Sequence, residues 1–146
     1  MRKGSFLSSD VDLVRLRYRV VDEALSTLSK LTEKTLNEIE SDAKLGFALK
    51  GALLFYIQGL LDLANYVTIR RDLTPTNHRE IFEILIRTKM LDGKYSDILN
   101  ELVVLRNRLL FLYSKLELSE VYEFVKQNLG ILNELYHLMI RLCGEM

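Results

Sequence analysis

Apolar side chains recur every three or four residues along most of this chain, and a single proline interrupts the pattern. This spacing places apolar residues on one face of an α-helix, and no strand-like alternation of useful length occurs. The first such stripe consists of Val14, Tyr18, Val21, Leu25 and Leu28. A regular four-three repeat favours helices packed nearly side by side. We therefore predict an all-α, up-and-down bundle of about five helices.

Capping and turn residues divide the pattern into these helices. Ser41 or Asp42, then Thr74 or Thr76, and finally Ser119 are the predicted N-caps, because their side-chain oxygens can accept hydrogen bonds from free backbone N–H groups. The predicted helices cover about residues 11–40 and 43–70, then a short segment ending near 89, and then about 95–115 and 119–141. The second helix is the most apolar, so we expect it to be central.

Length and composition limit the classes of protein to which the chain can belong. Its 146 residues fit one domain, 1–146, in which 1–9 form a short flexible lead. Twenty basic residues balance twenty acidic ones, which argues against a strongly basic nucleic-acid-binding surface but leaves room for a local patch. The single cysteine, Cys143, fits a reducing cytoplasm, and no Cys/His cluster has zinc spacing. Charged residues interrupt the apolar stretch 46–67, which therefore predicts a buried helix and no membrane span.

One arginine falls on the apolar stripe of the predicted fourth helix. That stripe consists of Tyr95, Leu99, Leu102, Arg106, Leu109 and Tyr113. A guanidinium group keeps its charge in proteins, so Arg106 needs a structural ion-pair partner, an anionic ligand or access to water. Asp62 and its amide neighbours on the second helix are candidate partners. The alternative is that the polar face containing Asp62 is simply exposed to solvent.

The stretch Arg106-Asn107-Arg108-Leu109-Leu110-Phe111-Leu112-Tyr113 resembles the signature of the HepT-like branch of HEPN domains. That signature runs Arg, a polar residue that is often Asn, a few residues, and then His-x-Tyr. Arg106, Asn107 and Tyr113 match it, whereas Phe111 stands where the family has histidine. The resemblance extends over about residues 10–140, through GFALKGALLFYIQGLLDLANYV, NHREIFEILIRTKML, ELVVLRNRLLFLY and YEFVKQNLGILNEL.

The resemblance implies a function as well as a fold. HepT-like proteins are small helical homodimers in which the motif helices of two subunits meet at a cleft. Active members are metal-independent RNases that need no cofactor and act as toxins of toxin–antitoxin pairs. Their partner is a minimal nucleotidyltransferase, which in some pairs neutralises the toxin by attaching AMP to the motif tyrosine. By this resemblance Arg106 and Asn107 are the catalytic positions, and Tyr113 is the candidate AMP acceptor.

Phe111 changes what the motif can do chemically. Cleavage of RNA without a metal needs a group that removes the 2′-OH proton and one that protonates the leaving oxygen, and imidazole suits both roles. Phenylalanine transfers no proton, so we predict weak or absent RNase activity. The two histidines, His78 and His137, lie outside the motif. Three alternatives remain: an active RNase that uses another base, a nucleotide-binding accessory subunit with no toxin role, and a purely structural bundle.

Overall fold

In the computed structural model, backbone is described for residues 3–144 and side chains from residue 12 onward. The described chain is an all-α bundle, as predicted, and contains no strand. It has six α-helices: α1 (Lys3–Thr32), α2 (Leu36–Glu40), α3 (Ala43–Arg70), α4 (His78–Arg87), α5 (Ser96–Phe111) and α6 (Leu118–Gly144). Short 3₁₀ turns at Gly93–Tyr95 and Tyr113–Lys115 flank α5. Residues 3–9 of the expected lead are helical, whereas residues 1–2 lie outside the described chain.

The first predicted helix, 11–40, is two helices in the structure. α1 ends at Thr32, whose hydroxyl donates to the carbonyl oxygen of Leu28 at 2.8 Å. Thr35 then caps α2: its side chain accepts from the Glu38 backbone N–H, and the Glu38 carboxylate accepts from the Thr35 N–H. This reciprocal capping box stabilises a new helix start. The prediction of one continuous helix was wrong because it followed the apolar spacing and overlooked this pair.

The helix α3 is the centre of the bundle. It begins after the N-cap Asp42 and packs against each of the other five helices. Its largest fully buried side chain is Tyr56, whose hydroxyl donates to the carbonyl oxygen of Leu132 on α6 at 2.7 Å. Over its most apolar window α3 has a mean hydropathy of 1.4, and by length and composition alone it could cross a membrane. However, 56% of that window is buried inside the bundle, and this central packing accounts for its apolar character.

Two further helix boundaries differ from the prediction. Asn77, and neither Thr74 nor Thr76, is the N-cap of α4, and its side chain accepts from the backbone N–H of Glu80 at 2.9 Å. The Glu80 carboxylate accepts in turn from the Thr76 N–H, one residue before the cap. The last helix, α6, runs from Leu118 to Gly144 and is slightly longer at both ends than predicted.

The axes of α1 and α3 approach closely at Gly59. A Cβ atom at this position would lie 2.4 Å from Cγ2 of Val21 and 3.9 Å from the carbonyl oxygen of Arg17. Val21 is buried in the core, so it has little room to move. Gly51 and Gly130, by contrast, have open space where a Cβ would be. The close approach therefore depends on Gly59 and not on the α3 glycines in general.

This difference predicts opposite effects for two glycine-to-alanine changes. We expect Gly59→Ala to lower the free energy of unfolding by about 1–3 kcal/mol, because the added methyl group overpacks the α1–α3 contact. Gly130→Ala, on α6, should raise it by up to about 1 kcal/mol, since alanine favours the helix and meets no neighbour. Urea unfolding followed by circular dichroism measures both values. Equal effects of the two changes would contradict the close approach.

Candidate functional site

The motif stretch lies partly on α5 and partly beyond it. Arg106 and Asn107 are in the helix, Phe111 is its last residue, and Tyr113 belongs to the following 3₁₀ turn. The chain leaves helical geometry at Leu112, with φ −128° and ψ 34°. The prediction of a helix over 95–115 was therefore wrong at its end. Tyr113 consequently does not continue the apolar stripe of α5.

The Arg106 side chain is half-buried between α5 and α3. Its Nε donates to Oε1 of Gln58 at 2.8 Å, and its Nη1 donates to Oδ1 of Asn107 at 3.2 Å. Within the described part of the chain, Arg106 forms no ion pair, and its Nη2 makes no hydrogen bond. Two amide oxygens thus hold the guanidinium group in place without neutralising its charge.

Asp62 reaches Arg106 through Gln58. Its Oδ1 accepts from Nε2 of Gln58 at 3.0 Å, and its Oδ2 forms an ion pair with Nε of Arg17 at 2.8 Å. The polar face of α3 that contains Asp62 was expected either to face Arg106 or to be exposed to solvent. In the structure, Asp62 and Gln58 connect α1 to α5, and Asp62 does not pair with Arg106 directly. The sequence analysis named Asp62 and its amide neighbours, of which Gln58 is one, but missed Arg17, which has no distinguishing sequence context on α1.

Phe111 is the most exposed of the large apolar side chains in the described structure, with 75% of its surface accessible. Its neighbours Leu110 and Leu112 are also exposed, as is Val104 two turns earlier. The end of α5 therefore presents an apolar surface beside the half-buried Arg106. Single exposed apolar residues are ordinary, whereas this cluster at the motif indicates a contact surface.

Tyr113 packs against the first turns of α3. Its ring stacks on Phe47, with centroids 5.9 Å apart and an interplanar angle of 11°, and Nζ of Lys50 lies 4.3 Å from the Tyr113 centroid. Lys50 also donates to the carbonyl oxygen of Leu116 at 2.9 Å, which fixes the turn after Tyr113. Partial burial raises the pKa of the Tyr113 hydroxyl above that of an ordinary tyrosine, which is itself protonated near neutral pH. Sequence reasoning did not identify Phe47 or Lys50.

A bidentate ion pair closes the other side of this turn. Nη1 and Nη2 of Arg108 donate to the two carboxylate oxygens of Glu120 at 3.1 and 3.2 Å. These hydrogen bonds lower the pKa of the Glu120 carboxyl group. Because Arg108 lies on α5 and Glu120 on α6, the pair spans the segment that contains Tyr113.

Both histidines lie away from these contacts. His78 is the exposed first residue of α4, and His137 is exposed on α6, with its ring edge-on to Tyr136. Among the residues that the structure describes, no group of three or more His, Cys, Asp or Glu side chains could hold a metal ion.

A shallow groove lies next to Phe47, between α1 and α3. Its volume is 620 Å³, and Phe47 and Phe55 line it together with smaller side chains of both helices. Both phenylalanines are more than half exposed. Phe47 therefore lines this groove and also stacks on Tyr113.

Comparison with known proteins identifies the family of this chain. A family model described as "Ribonuclease HepT-like" matches residues 21–139. The chain belongs to the HepT-like ribonuclease family. No curated protein matches it. A solved structure described as "Crystal structure of the toxin-antitoxin with AMP-PNP" contains a similar chain, with a TM-score of 0.75 and 18% identity over 88% of this chain and 98% of that one. At this identity the likeness shows a common fold.

In this HepT-like chain, phenylalanine occupies position 111, where the motif quoted above is expected to have histidine. Arg106 and Asn107 adjoin each other and share a hydrogen bond, whereas Phe111 projects from the end of α5. The described contacts of Arg106 include no histidine. The arrangement therefore offers a fixed positive charge but no imidazole next to it.

The packing of Tyr113 predicts a measurable change in its pKa. Removing the stacked ring in Phe47→Ala exposes the Tyr113 hydroxyl to water, so its pKa should fall toward the ordinary value of about 10. Phe55→Ala is the matched control, because Phe55 is also exposed and lies about 12 Å farther along α3. Carbon-13 NMR titration of labelled tyrosines measures the pKa, with Tyr113→Phe assigning the signal. The same pKa in Phe47→Ala and Phe55→Ala would contradict this role of the stack.

Proposed function

We propose that this chain is the toxin-like component of a toxin–antitoxin pair, built as a metal-independent RNase but with weak or no RNase activity. It binds RNA weakly, through Arg106, and its main partner is a minimal nucleotidyltransferase. The observation that carries this proposal is that the same motif contains a fixed, charged Arg106 and an exposed Phe111, the latter at the position of the proton-transferring residue. The cytoplasm, where both partners would be made, is the proposed location.

The chemistry of the two positions supports this division. Arg106 has two of its nitrogen atoms held by amide oxygens and keeps its full charge, so it suits a phosphate group. Phe111 has no group that can accept or donate a proton. Loss of a general acid or base typically reduces a rate by about 10²–10⁴-fold. Binding of the phosphate is thus preserved better than cleavage.

The positions of Arg106 and Phe111 also support a homodimer. Residues five apart on an α-helix point about 140° away from each other, and Arg106 packs toward α3 while Phe111 faces outward. A second copy of the chain can bring its position 111 to the Arg106 of the first. The exposed side chains of Leu110 and Leu112 add apolar area for this contact. Sedimentation velocity tests the dimer, and a monomer at micromolar concentration would contradict it.

An RNase assay tests the proposed loss of proton transfer. The parent protein should be silent or weak. Phe111→His should cleave RNA at least about 100-fold faster, because imidazole restores a general acid or base. The double change Phe111→His with Arg106→Ala should be silent again, since the phosphate then lacks its positive partner.

Two outcomes of this assay would contradict the proposal. If the parent cleaves RNA and loses the activity in Arg106→Ala, then another residue serves as the base and the chain is an active RNase. If none of the variants cleaves RNA while the parent binds a nucleotide saturably, the accessory-subunit function is favoured. His137→Ala in the Phe111→His background is the control for a contribution from an exposed histidine outside the motif.

Tyr113 is the proposed site at which the nucleotidyltransferase acts. In this step the Tyr113 oxygen attacks the α-phosphorus of ATP, a new O–P bond forms, and the bond to pyrophosphate breaks. The phenol proton passes to a base on the nucleotidyltransferase. That base is needed because a tyrosine hydroxyl is protonated near neutral pH, and burial raises the pKa of Tyr113 further. Tyr113 is 38% exposed, and Phe47 and Lys50 hold its ring, so the residue is partly accessible and its ring is oriented.

Mass spectrometry tests this modification. The chain is incubated with ATP, Mg²⁺ and its proposed partner, a minimal nucleotidyltransferase. We expect one adenylyl group per chain on the peptide containing Tyr113, and none in Tyr113→Phe. Tyr66→Phe, which alters a tyrosine on α3 outside the motif, should be modified like the parent. Modification of Tyr113→Phe at the parent level would exclude Tyr113 as the acceptor.

A further inference from the structure

Four side chains from three helices form one continuous chain of contacts at the candidate site. Arg17 of α1 pairs with Asp62 of α3, Asp62 accepts a hydrogen bond from Gln58 of the same helix, and Gln58 accepts one from Arg106 of α5. The three distances are 2.8, 3.0 and 2.8 Å. We call these four residues the Arg17–Arg106 chain. Both arginines donate, Asp62 accepts from both of its neighbours, and Gln58 both accepts and donates.

We propose that Asp62 is a positioning residue for Arg106 and acts through the amide group of Gln58. An ionised carboxylate only accepts hydrogen bonds, so Gln58 must turn its NH₂ group toward Asp62. The carbonyl oxygen of the same amide then necessarily faces Nε of Arg106. With the amide reversed, its NH₂ group would meet the Arg106 N–H, and two donors would oppose each other. The acceptor-only carboxylate of Asp62 therefore sets the orientation of the Gln58 amide and, through it, that of Arg106.

Arg17 keeps Asp62 from neutralising Arg106. Asp62 already has a cationic partner on α1, and Gln58 separates it from the guanidinium of Arg106. The side chains of Arg17 and Asp62 are 45% and 33% exposed, so the ion pair contributes little to stability. The ion pair acts by occupying Oδ2 of Asp62, which leaves Oδ1 to accept from Gln58. Arg106 thus stays oriented and keeps its charge for an anionic ligand.

One part of this proposal rests on the proposed function, namely that Arg106 binds the RNA phosphate. Nη2 of Arg106, which makes no hydrogen bond within the described part of the chain, is the group left for that phosphate. The orientation of Arg106 itself can be measured without RNA. The experiment therefore has one arm without RNA and one arm with it.

The first arm measures how fast the Nε–H proton of Arg106 exchanges with water. Proton–nitrogen NMR gives this rate in the full-length protein, and Arg106→Lys assigns the signal. In Asp62→Asn the side chain has one oxygen, for which Arg17 and Gln58 compete. When Arg17 takes it, the Asn NH₂ group faces Gln58 and reverses its amide. We expect exchange at Arg106 to become about tenfold faster, the factor that corresponds to one hydrogen bond to a charged group.

A second variant separates this mechanism from general loosening. Asp62→Asn combined with Arg17→Leu removes the competing donor, so the single Asn oxygen is free for Gln58. Exchange at Arg106 should then return toward the parent rate, although a further side chain has been altered. Glu120→Gln is the control, because it weakens the separate Arg108–Glu120 pair. It should leave the Arg106 rate unchanged.

Two results of the first arm would overturn the proposal. One is an unchanged Arg106 rate in Asp62→Asn. The other is a double variant whose rate is as fast as that of Asp62→Asn, since the effect would then be structural. Thermal unfolding of each variant is measured alongside, and similar melting temperatures are expected because both replacements are partly exposed.

The second arm measures RNA cleavage in the Phe111→His background. Adding Asp62→Asn should lower kcat by about tenfold with a smaller change in KM, because a misplaced guanidinium stabilises the transition state less. Equal kcat with and without Asp62→Asn would overturn the positioning role. If Phe111→His does not cleave RNA at all, the proposed RNase scaffold fails. The exchange rates then still decide whether Asp62 positions Arg106.

Discussion

The burial of α3 is the constraint on which the rest of this structure depends. The helix contacts every other helix, and its core-facing side chains include Leu53, Ile57 and Leu60, which are fully buried. Each such side chain contributes roughly 1.5–3 kcal/mol through removal from water. A helix surrounded in this way has only one narrow face left for polar groups. Gln58 and Asp62 lie on that face, and it is the face that meets Arg106.

The sequence predicted the architecture better than the ends of its elements. The bounds of α3 followed from the cap Asp42 and from the length of its apolar pattern, both of which are local signals. The break between α1 and α2 has a local signal too, the pair Thr35 and Glu38. It was missed because apolar spacing was given more weight than capping chemistry.

The end of α5 shows what local sequence cannot reveal. No glycine or proline lies between Tyr95 and Ser119 to end the helix. The helix ends because the following turn is held elsewhere: Leu116 is buried, its carbonyl oxygen accepts from Lys50, and Tyr113 stacks on Phe47. These contacts join residues more than sixty positions apart, so they depend on the packing of whole helices. The partnership of Arg106 with Gln58 depends on the same register and was equally hidden.

The absence of a side chain at Gly59 has a consequence beyond packing. Gly59 allows α1 to approach α3 closely at Val21, and the contact between Arg17 and Asp62 lies one turn of each helix away. The spacing between the two helix axes thus determines whether Arg17 can reach its carboxylate. The geometry around Arg106 therefore depends on the apolar contact between Gly59 and Val21 in the core. The sizes of residues 21 and 59 are thus coupled to a site that neither residue belongs to, because a bulkier pair would separate the two helices and move Arg17 away from Asp62.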